Sequence, residues 1–355
     1  MTAQNNEQVL YQARHYPVLQ NRIYDSYDEA LSAPAGDIAL VENLATGLVY
    51  NAAFKPELMV YDTYYQNEQA ISPLFHAHLE HMAAVIQKRM GNDALIEVGC
   101  GKGYFTEMLL AQGMDVIGFD PAYEGDNPRI QRKHFNRELG LHAKGIILRH
   151  VLEHIQNPVD FLFALKHANQ DQGLIYIEVP CFDWICRKRA WFDIYYEHVN
   201  YFRLGDLHRL FGTIIESGVV FGEQYIYVIA DLSTLTTPER DDNDRVRFPA
   251  DFVMDLDPHP SGHQRKRAVW GGSSKGVIFS LMQQRFNRAV DVVIDINPAK
   301  QGKFLPLTGL RVSSHTEGLS LLPPDALIYV MNSNYLDEVK AMSGHQYTYI
   351  CIDYD

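Results

Sequence analysis

The spacing of apolar positions changes sharply around residue 100. Residues 94–98 are nearly all apolar, which is typical of a strand buried in a parallel sheet, and residues 104–112 carry apolar side chains at helical spacing. Three alternating glycines, Gly99, Gly101 and Gly103, lie between them. Because glycine has no Cβ, the chain can turn sharply there and approach a ligand closely. The pattern predicts a strand, a glycine turn and a helix.

Short apolar runs and helical spacing continue to alternate as far as about residue 230. Further strands are predicted at 115–119, 145–148 and 173–179, and helices at 72–89 and 159–168. This order of elements indicates an α/β fold with a doubly wound parallel sheet, a Rossmann-like arrangement.

The two ends of the chain differ from this middle part. Residues 1–50 have short apolar pieces separated by turn signals and indicate a small β-rich segment. Apolar runs after residue 266 predict a second, smaller α/β domain, and the polar residues 231–244 fit a linker. The expected divisions are an N-terminal segment at 1–75, a Rossmann-like domain at 76–235 and a C-terminal domain at 245–355.

Charge and cysteine content exclude several classes of protein. The formal net charge of −13 argues against a nucleic-acid binder, which needs concentrated Lys and Arg. Four scattered cysteines without paired spacing predict neither a disulfide framework nor a zinc site. No apolar run reaches membrane-spanning length, so we expect a cytoplasmic protein without a membrane partner.

The glycine turn and its acidic neighbours indicate an adenosine-type site. Glu97 stands two positions before Gly99, and the second strand ends at Asp120, where a carboxylate can accept hydrogen bonds from ribose hydroxyls. Dinucleotide-binding proteins have a similar but longer glycine pattern, which keeps NAD binding as a rival interpretation. The combination resembles the class I S-adenosylmethionine-dependent methyltransferases.

That resemblance implies S-adenosylmethionine as the cofactor. In the family, the acid at the position of Glu97 supports the loop and the methionine end, the glycines wrap the cofactor, and the acid at the position of Asp120 holds the ribose. The expected cofactor site comprises Glu97, Gly99, Gly101, Gly103, Tyr104, Phe105, Asp120, Pro121, Arg149 and His150.

A long aromatic and charged connection follows the strand at 173–179. It spans residues 181–202, and long connections at the carboxyl edge of a parallel sheet are where substrate is usually bound. We therefore expect substrate contacts in this connection.

Several distant segments together resemble the sugar C-methyltransferases that act on nucleotide-linked 4-keto-6-deoxyhexoses. They are residues 149–154, 195–202, 271–276, 295–306 and 332–338, so the similarity covers nearly the whole chain. The resemblance implies that a base removes the proton at C3, beside the C4 ketone, and that the enolate takes the methyl group.

The resemblance assigns roles to five side chains. His198 is the expected base, which carbon-acid chemistry requires. Glu197 holds a sugar hydroxyl or tunes the local field, and Tyr195 is the expected hydrogen-bond partner of the enolate or a ring hydroxyl. His154 belongs to the site by the same pattern, and Tyr65 is the expected roof over it.

The N-terminal segment departs from the family pattern. Members usually begin with a zinc domain built on paired cysteines, whereas residues 1–50 contain no cysteine, and Glu42 and Ala45 stand in the cysteine spacing. Tetrahedral structural zinc cannot be held by these residues, so no zinc is expected. The change also puts the usual substrate in doubt.

Other interpretations remain open. Each histidine, taken singly, could serve packing or helix capping, and the glycine turn with Lys275 could receive a diphosphate or simply pack. The alternatives to C-methylation are an O- or N-methyltransferase of another metabolite and a non-catalytic nucleotide-binding module. Neither the nucleotide, the methylated atom, its stereochemistry nor the oligomeric state follows from the sequence.

Overall fold

The computed structural model describes residues 6–60, 64–65, 72–253 and 265–353. The strands are β1 (Glu7–Pro17), β2 (Ala35–Asn43), β3 (Val49–Asn51), β4 (Leu95–Val98), β5 (Val116–Phe119), β6 (Ile130–Gln131), β7 (Gly145–Arg149), β8 (Leu174–Pro180), β9 (Asn200–Tyr201), β10 (Ile214–Val220), β11 (Tyr225–Asp231), β12 (Arg267–Trp270), β13 (Val292–Ile294), β14 (Val312–Ser313), β15 (Leu327–Val330) and β16 (Thr348–Cys351). The α-helices are α1 (Tyr27–Leu31), α2 (Pro73–Met90), α3 (Tyr104–Ala111), α4 (Pro158–Ala168), α5 (Phe182–Arg187), α6 (Leu204–Arg209), α7 (Ser274–Arg285), α8 (His315–Ser320) and α9 (Leu336–Ser343).

The central sheet has the strand order β10-β11-β8-β7-β4-β5-β6. Strands β8, β7, β4, β5 and β6 are parallel, and β11 pairs antiparallel with both β8 and β10. The expected Rossmann-like sheet is therefore confirmed, with an added antiparallel edge. Its parallel strands end at one edge, where the glycine turn follows β4, residue 120 follows β5 and residue 149 ends β7.

Helices cover both faces of this sheet because side chains alternate along each buried strand. Leu95 packs with Phe75 of α2 and Phe105 of α3. Ile96, the next residue, packs on the opposite face with Leu162 of α4. The predicted helix at 72–89 is confirmed as α2, which begins at Pro73 and ends before Gly91.

The N-terminal segment forms an antiparallel sheet of order β1-β2-β3-β9. Its last strand comes from the connection after β8, since Val49 pairs with Tyr201 and Tyr50 with Asn200. The N-terminal sheet is thus joined by backbone hydrogen bonds to the connection in which substrate contacts are expected.

The segment predicted as a linker is anchored at several points. Arg240 Nε lies 3.2 Å from an oxygen of buried Glu42, and its backbone nitrogen donates to the Ala45 carbonyl at 2.8 Å. Asp244 pairs with buried Arg203 and with Arg209. The two positions in the cysteine spacing therefore contact Arg240, and residues 240–244 are packed against the protein instead of forming a free linker.

The C-terminal part forms a parallel sheet of order β14-β13-β12-β15-β16, as the second α/β unit requires. Its helix α7 faces the connection after β8, where the rings of Phe279 and Trp191 stack at 5.9 Å with an interplanar angle of 8°. The divisions at 1–75, 76–235 and 245–355 stay a prediction. No helix within the described ranges is long and apolar enough to span a bilayer.

Candidate active site

The glycine turn has a backbone that other residues rarely adopt. Gly99, Gly101 and Gly103 have φ angles of 75°, 56° and 84°. A Cβ on Gly99 would lie 2.5 Å from Cγ2 of Val151, and one on Gly103 would lie 2.3 Å from Cδ1 of Ile130. Glycine is therefore required at the first and third positions by close packing as well as by backbone conformation.

Asp120 supports this turn directly. One of its carboxylate oxygens accepts from Gly101 N at 2.8 Å, and the other accepts from Ala122 N at 2.7 Å. A carboxylate has further lone pairs, so Asp120 can hold the turn and still accept from a ribose hydroxyl. Pro121, beside it, is exposed at the same edge.

Glu97 lies under the turn and is buried. It accepts a hydrogen bond from the Thr106 hydroxyl, and burial raises the pKa of its carboxyl although this bond and the nearby charge of Arg149 act in the opposite direction. The Arg149 guanidinium lies 5.2 Å from the centre of the Phe105 ring. The structure thus brings Glu97, Arg149 and Phe105 together, while Tyr104 is more exposed on the outer side of α3.

A buried network of acids and histidines lies beside Arg149. Glu178 accepts from the Tyr176 hydroxyl and lies 3.0 Å from His78 Nε2 and 3.2 Å from His150 Nε2. His150 Nδ1 lies 3.2 Å from Glu153. The sequence prediction included His150 but missed Glu178 and His78; the only local signal was an acid within an apolar strand.

Hydrogen bonding decides the ionisation of this network. Burial by itself would raise the pKa of Glu178, but its bonds with His150 and His78 hold that pKa well below the usual value. Burial would lower the pKa of His150, and the bonds with Glu153 and Glu178 raise it instead. Glu178 is therefore ionised, and the same bonds favour the protonated form of His150.

A second cluster joins residues from two separate segments. Glu153 and His154 follow β7 in a 3-10 turn, and His198 belongs to the connection after β8. Their ligand-type atoms lie within 4.8 Å of one another. The rings of His154 and His198 meet edge to face, with centres 4.9 Å apart.

His198 is held in an apolar and positively charged environment. Burial, followed by the charges of His154 and His150, lowers its pKa well below the usual value. Its ring also packs edge-on against Tyr195 at 4.7 Å between centres. The side chain is consequently a neutral imidazole near neutral pH and a weak proton acceptor.

Glu197 faces the N-terminal segment. It accepts from the Tyr65 hydroxyl at 2.7 Å, and the side-chain amide of Gln20 donates to its other oxygen. Burial raises the pKa of this carboxyl, against the charge of His154 and the bond from Tyr65. The structure therefore brings Tyr65 next to Glu197, and it adds Gln20, which the sequence prediction missed.

Tyr195 is directed elsewhere. Its hydroxyl donates to Asp193, so that proton is already used within the protein, and burial raises the pKa of the phenol. This geometry differs from the expected role as a partner of a substrate oxygen. Tyr195 contacts the cluster through its ring, which packs against His198.

Lys275 is also engaged within the protein. Its Nζ lies 3.1 Å from a carboxylate oxygen of Asp193, donates to Gln224 Oε1 at 2.7 Å, and lies over the Trp184 ring. Of the two interpretations of the glycine turn at 271–276, this arrangement favours packing. Close to the start of α7, the buried Lys300 donates to Ser273 Oγ at 2.5 Å.

The middle of the chain is similar to a known protein family. Residues 65–213 match the family described as Methyltransferase domain. Over 150 residues the chain is 25% identical to the C-methyltransferase NovU of Streptomyces niveus, a match that covers 38% of this chain and 36% of that protein. The chain thus spans about a third of the length of this relative.

Solved structures of methyltransferases are similar over about half of the chain. The magnesium protoporphyrin IX methyltransferase of Synechocystis is 15% identical, with 44% of this chain and 83% of that chain covered and a TM-score of 0.35. The 1,6-didemethyltoxoflavin-N1-methyltransferase of Burkholderia thailandensis is also 15% identical, with 52% and 95% covered and a TM-score of 0.33. The family match and the sheet topology agree: residues 65–213 are similar to a methyltransferase domain and contain the parallel strands of the central sheet.

Proposed function

We propose that the protein transfers a methyl group from S-adenosylmethionine to a carbon atom beside the ketone of a nucleotide-linked 4-keto deoxysugar. The observation that carries the proposal is the cluster of buried Glu197 with half-buried His154 and His198 close to the glycine turn. Val151, which contacts the turn at Gly99, lies three residues before His154. The partial match to NovU supports carbon as the acceptor.

Carbon methylation requires a base, and we assign Glu197 this role in preference to His198. A carboxyl whose pKa is raised by burial accepts a proton more readily than an ordinary carboxylate. The lowered pKa of His198 makes it a weaker base than an ordinary histidine. His198, the residue expected from the sequence, remains the rival in the test below.

The proposed reaction has two steps. Glu197 takes the proton from the carbon beside the ketone, and the electron pair of that C–H bond forms the enolate. The enolate carbon then forms the new C–C bond as the S–CH3 bond of the sulfonium breaks, and S-adenosylhomocysteine leaves as a neutral thioether. The proton on Glu197 is released to solvent before the next turnover.

The proposed setting is the reducing cytoplasm, with a nucleotide sugar as the small-molecule partner. All four cysteines are free thiols, which is the usual state in that compartment.

The test is deuterium exchange at the carbon beside the ketone, in D2O, with S-adenosylhomocysteine bound and a panel of nucleotide-linked 4-keto sugars. Exchange should occur with one of these sugars, and Glu197→Gln should abolish it. The exposed His142→Gln serves as the histidine control and should leave the rate unchanged.

Other outcomes would redirect the assignment. Full exchange in Glu197→Gln would remove Glu197 as the base and return that role to His198. If no sugar exchanges, carbon-acid chemistry is refuted, and O- or N-methylation of another metabolite becomes the hypothesis, because removing a hydroxyl proton also needs a base.

A further inference from the structure

Glu153, His154 and His198 have the composition of a metal-binding site. Their ligand-type atoms lie within 4.8 Å of one another, and two imidazoles with one carboxylate form a set typical of open divalent metal sites. Metal–ligand distances are about 2.0–2.2 Å, so small side-chain rotations would bring all three groups onto one ion.

Glu153 provides an independent observation in favour of a bound cation, because one of its buried carboxylate oxygens lacks a hydrogen-bond partner within the part of the chain that the structure describes. The side chain is buried, with an exposed fraction of 1%, and Oε1 is engaged by His150. The other oxygen, Oε2, has no hydrogen-bond partner among the described residues. A buried carboxylate oxygen without a partner is costly, and a cation at this position would satisfy it.

His154 is held in the orientation that a metal ligand requires. Its Nδ1 lies 2.9 Å from the carbonyl oxygen of Glu197, and a carbonyl can only accept, so Nδ1 carries the proton. In the neutral form of this tautomer, Nε2 presents a lone pair. A ligating histidine commonly donates its other ring nitrogen to a backbone carbonyl in this way.

His198 completes the set from a different segment. Among the residues that the structure describes, none hydrogen-bonds to either of its ring nitrogens, and its ring packs between His154 and Tyr195. The packing fixes the ring while leaving a nitrogen available.

We propose that Glu153, His154 and His198 bind a divalent transition-metal ion such as Fe²⁺. Imidazole ligands favour such an ion over Mg²⁺, which prefers an all-oxygen shell. Three protein ligands leave positions for oxygen atoms of a substrate. The role of the ion rests on the proposed function: it would hold the ketone oxygen on which enolate charge develops, while Glu197 takes the proton.

The test is titration of the full-length protein, without cofactor or substrate, with Co²⁺ as a spectroscopic probe. Wild type should bind one Co²⁺ per chain with visible d–d bands, and Zn²⁺ but not excess Mg²⁺ should displace it. Glu153→Gln, His154→Gln and His198→Gln should each weaken binding by at least about 10- to 100-fold, the range that loss of an outer-shell partner already produces. His142→Gln is the matched control and should bind as wild type does.

Folding of each variant is checked by circular dichroism and by thermal stabilisation with S-adenosylhomocysteine, so weak binding is interpreted only in folded protein. Absence of stoichiometric Co²⁺ binding in wild type overturns the site, and so does equal affinity in the folded variants.

Deuterium exchange with and without EDTA separates this proposal from the proposed function. Exchange that persists at the full rate in metal-free protein refutes the role of the ion and leaves the carbon-acid function standing. Stoichiometric Co²⁺ binding without exchange on any 4-keto sugar refutes the carbon-acid function and leaves the metal site standing.

Discussion

Three buried glutamates at the edge of the central sheet differ in charge because their partners differ. Glu97 and Glu197 have raised pKa values since burial outweighs their hydrogen bonds. Glu178 is equally buried, yet its histidine partners keep it ionised. Environment therefore separates a structural acid from a candidate base although the residue type is the same.

Replacing Glu178 with Gln should strongly destabilise the protein. The change leaves His78, His150 and Arg149 beside a neutral amide in the interior, and breaking a buried ion pair costs about 3–5 kcal/mol in the free energy of unfolding. Urea denaturation measures this loss. Glu223→Gln, at an exposed ion pair with Arg187, is the control and should have little effect.

The stabilising effect of Glu178 should depend on pH. Its folded pKa lies below the unfolded value of about 4.3, so its contribution is present above that pH and is lost as pH falls through the folded pKa. The stability difference between wild type and Glu178→Gln should shrink on acidification below about pH 4.3. A difference that grows in acid would contradict an ionised Glu178.

The pH dependence of deuterium exchange should report Glu197. A base acts when deprotonated, so the rate should rise with pH through the folded pKa of Glu197. Because burial raises that pKa, the acidic limb should lie above about pH 4.3, the ordinary value for Glu. If the acidic limb of the pH–rate profile lay at the ordinary pKa of Glu, the reacting base would be an exposed carboxylate and not the buried Glu197.

At the scale of elements, the turn between β4 and α3 is the part that local sequence specifies most completely. Its three glycines have positive φ angles, but their surroundings differ. A Cβ on Gly101 would meet nothing within 4 Å, whereas one on Gly99 would collide with Val151. The same residue type is thus needed for different reasons at neighbouring positions.

Gly99→Ala should therefore destabilise the cofactor-free protein more than Gly101→Ala. Both changes carry the left-handed backbone penalty of about 1–2 kcal/mol. Gly99→Ala adds a collision with the β-branched Val151, and overpacking costs about 1–3 kcal/mol. Thermal or urea unfolding of the two variants without cofactor measures the difference, and equal losses would show that Val151 moves aside freely.

The whole molecule depends on the connection after β8, which contacts the N-terminal sheet, the candidate active site and the C-terminal unit. It supplies β9 to the N-terminal sheet, His198 to the candidate active site, and Trp191 and Asp193 as contacts of α7 in the C-terminal unit. A substrate bound along this connection would thus be enclosed by parts distant in sequence.

Trp191→Ala should weaken the attachment of the C-terminal unit. The ring is fully buried and stacks on Phe279, and truncating a buried Trp costs about 3–5 kcal/mol. Chemical denaturation followed by circular dichroism should show a lower midpoint or a separated first transition. Phe286→Ala, at the exposed end of α7, is the control; an equal loss there would mean that Trp191 contributes no specific coupling.

The sequence by itself determined the elements whose signals are local. Apolar runs and helical spacing predicted β4, α3, β5, α2 and the central parallel sheet, and the glycine turn with its following acid predicted the cofactor edge. These features need only near neighbours along the chain, because backbone conformation and strand burial are set by a few adjacent residues.

Only the tertiary structure decided the contacts between distant segments. Four contacts join residues far apart in sequence. They are the pairing of β9 with β3, the hydrogen bond of Glu178 with His78, the ion pair of Lys275 with Asp193, and the proximity of Glu153 to His198. Charge and hydrogen bonding at a buried site depend on whatever packs against it, and that is fixed by the fold. The residue types at the site were therefore readable from the sequence, while their ionisation and roles required the structure.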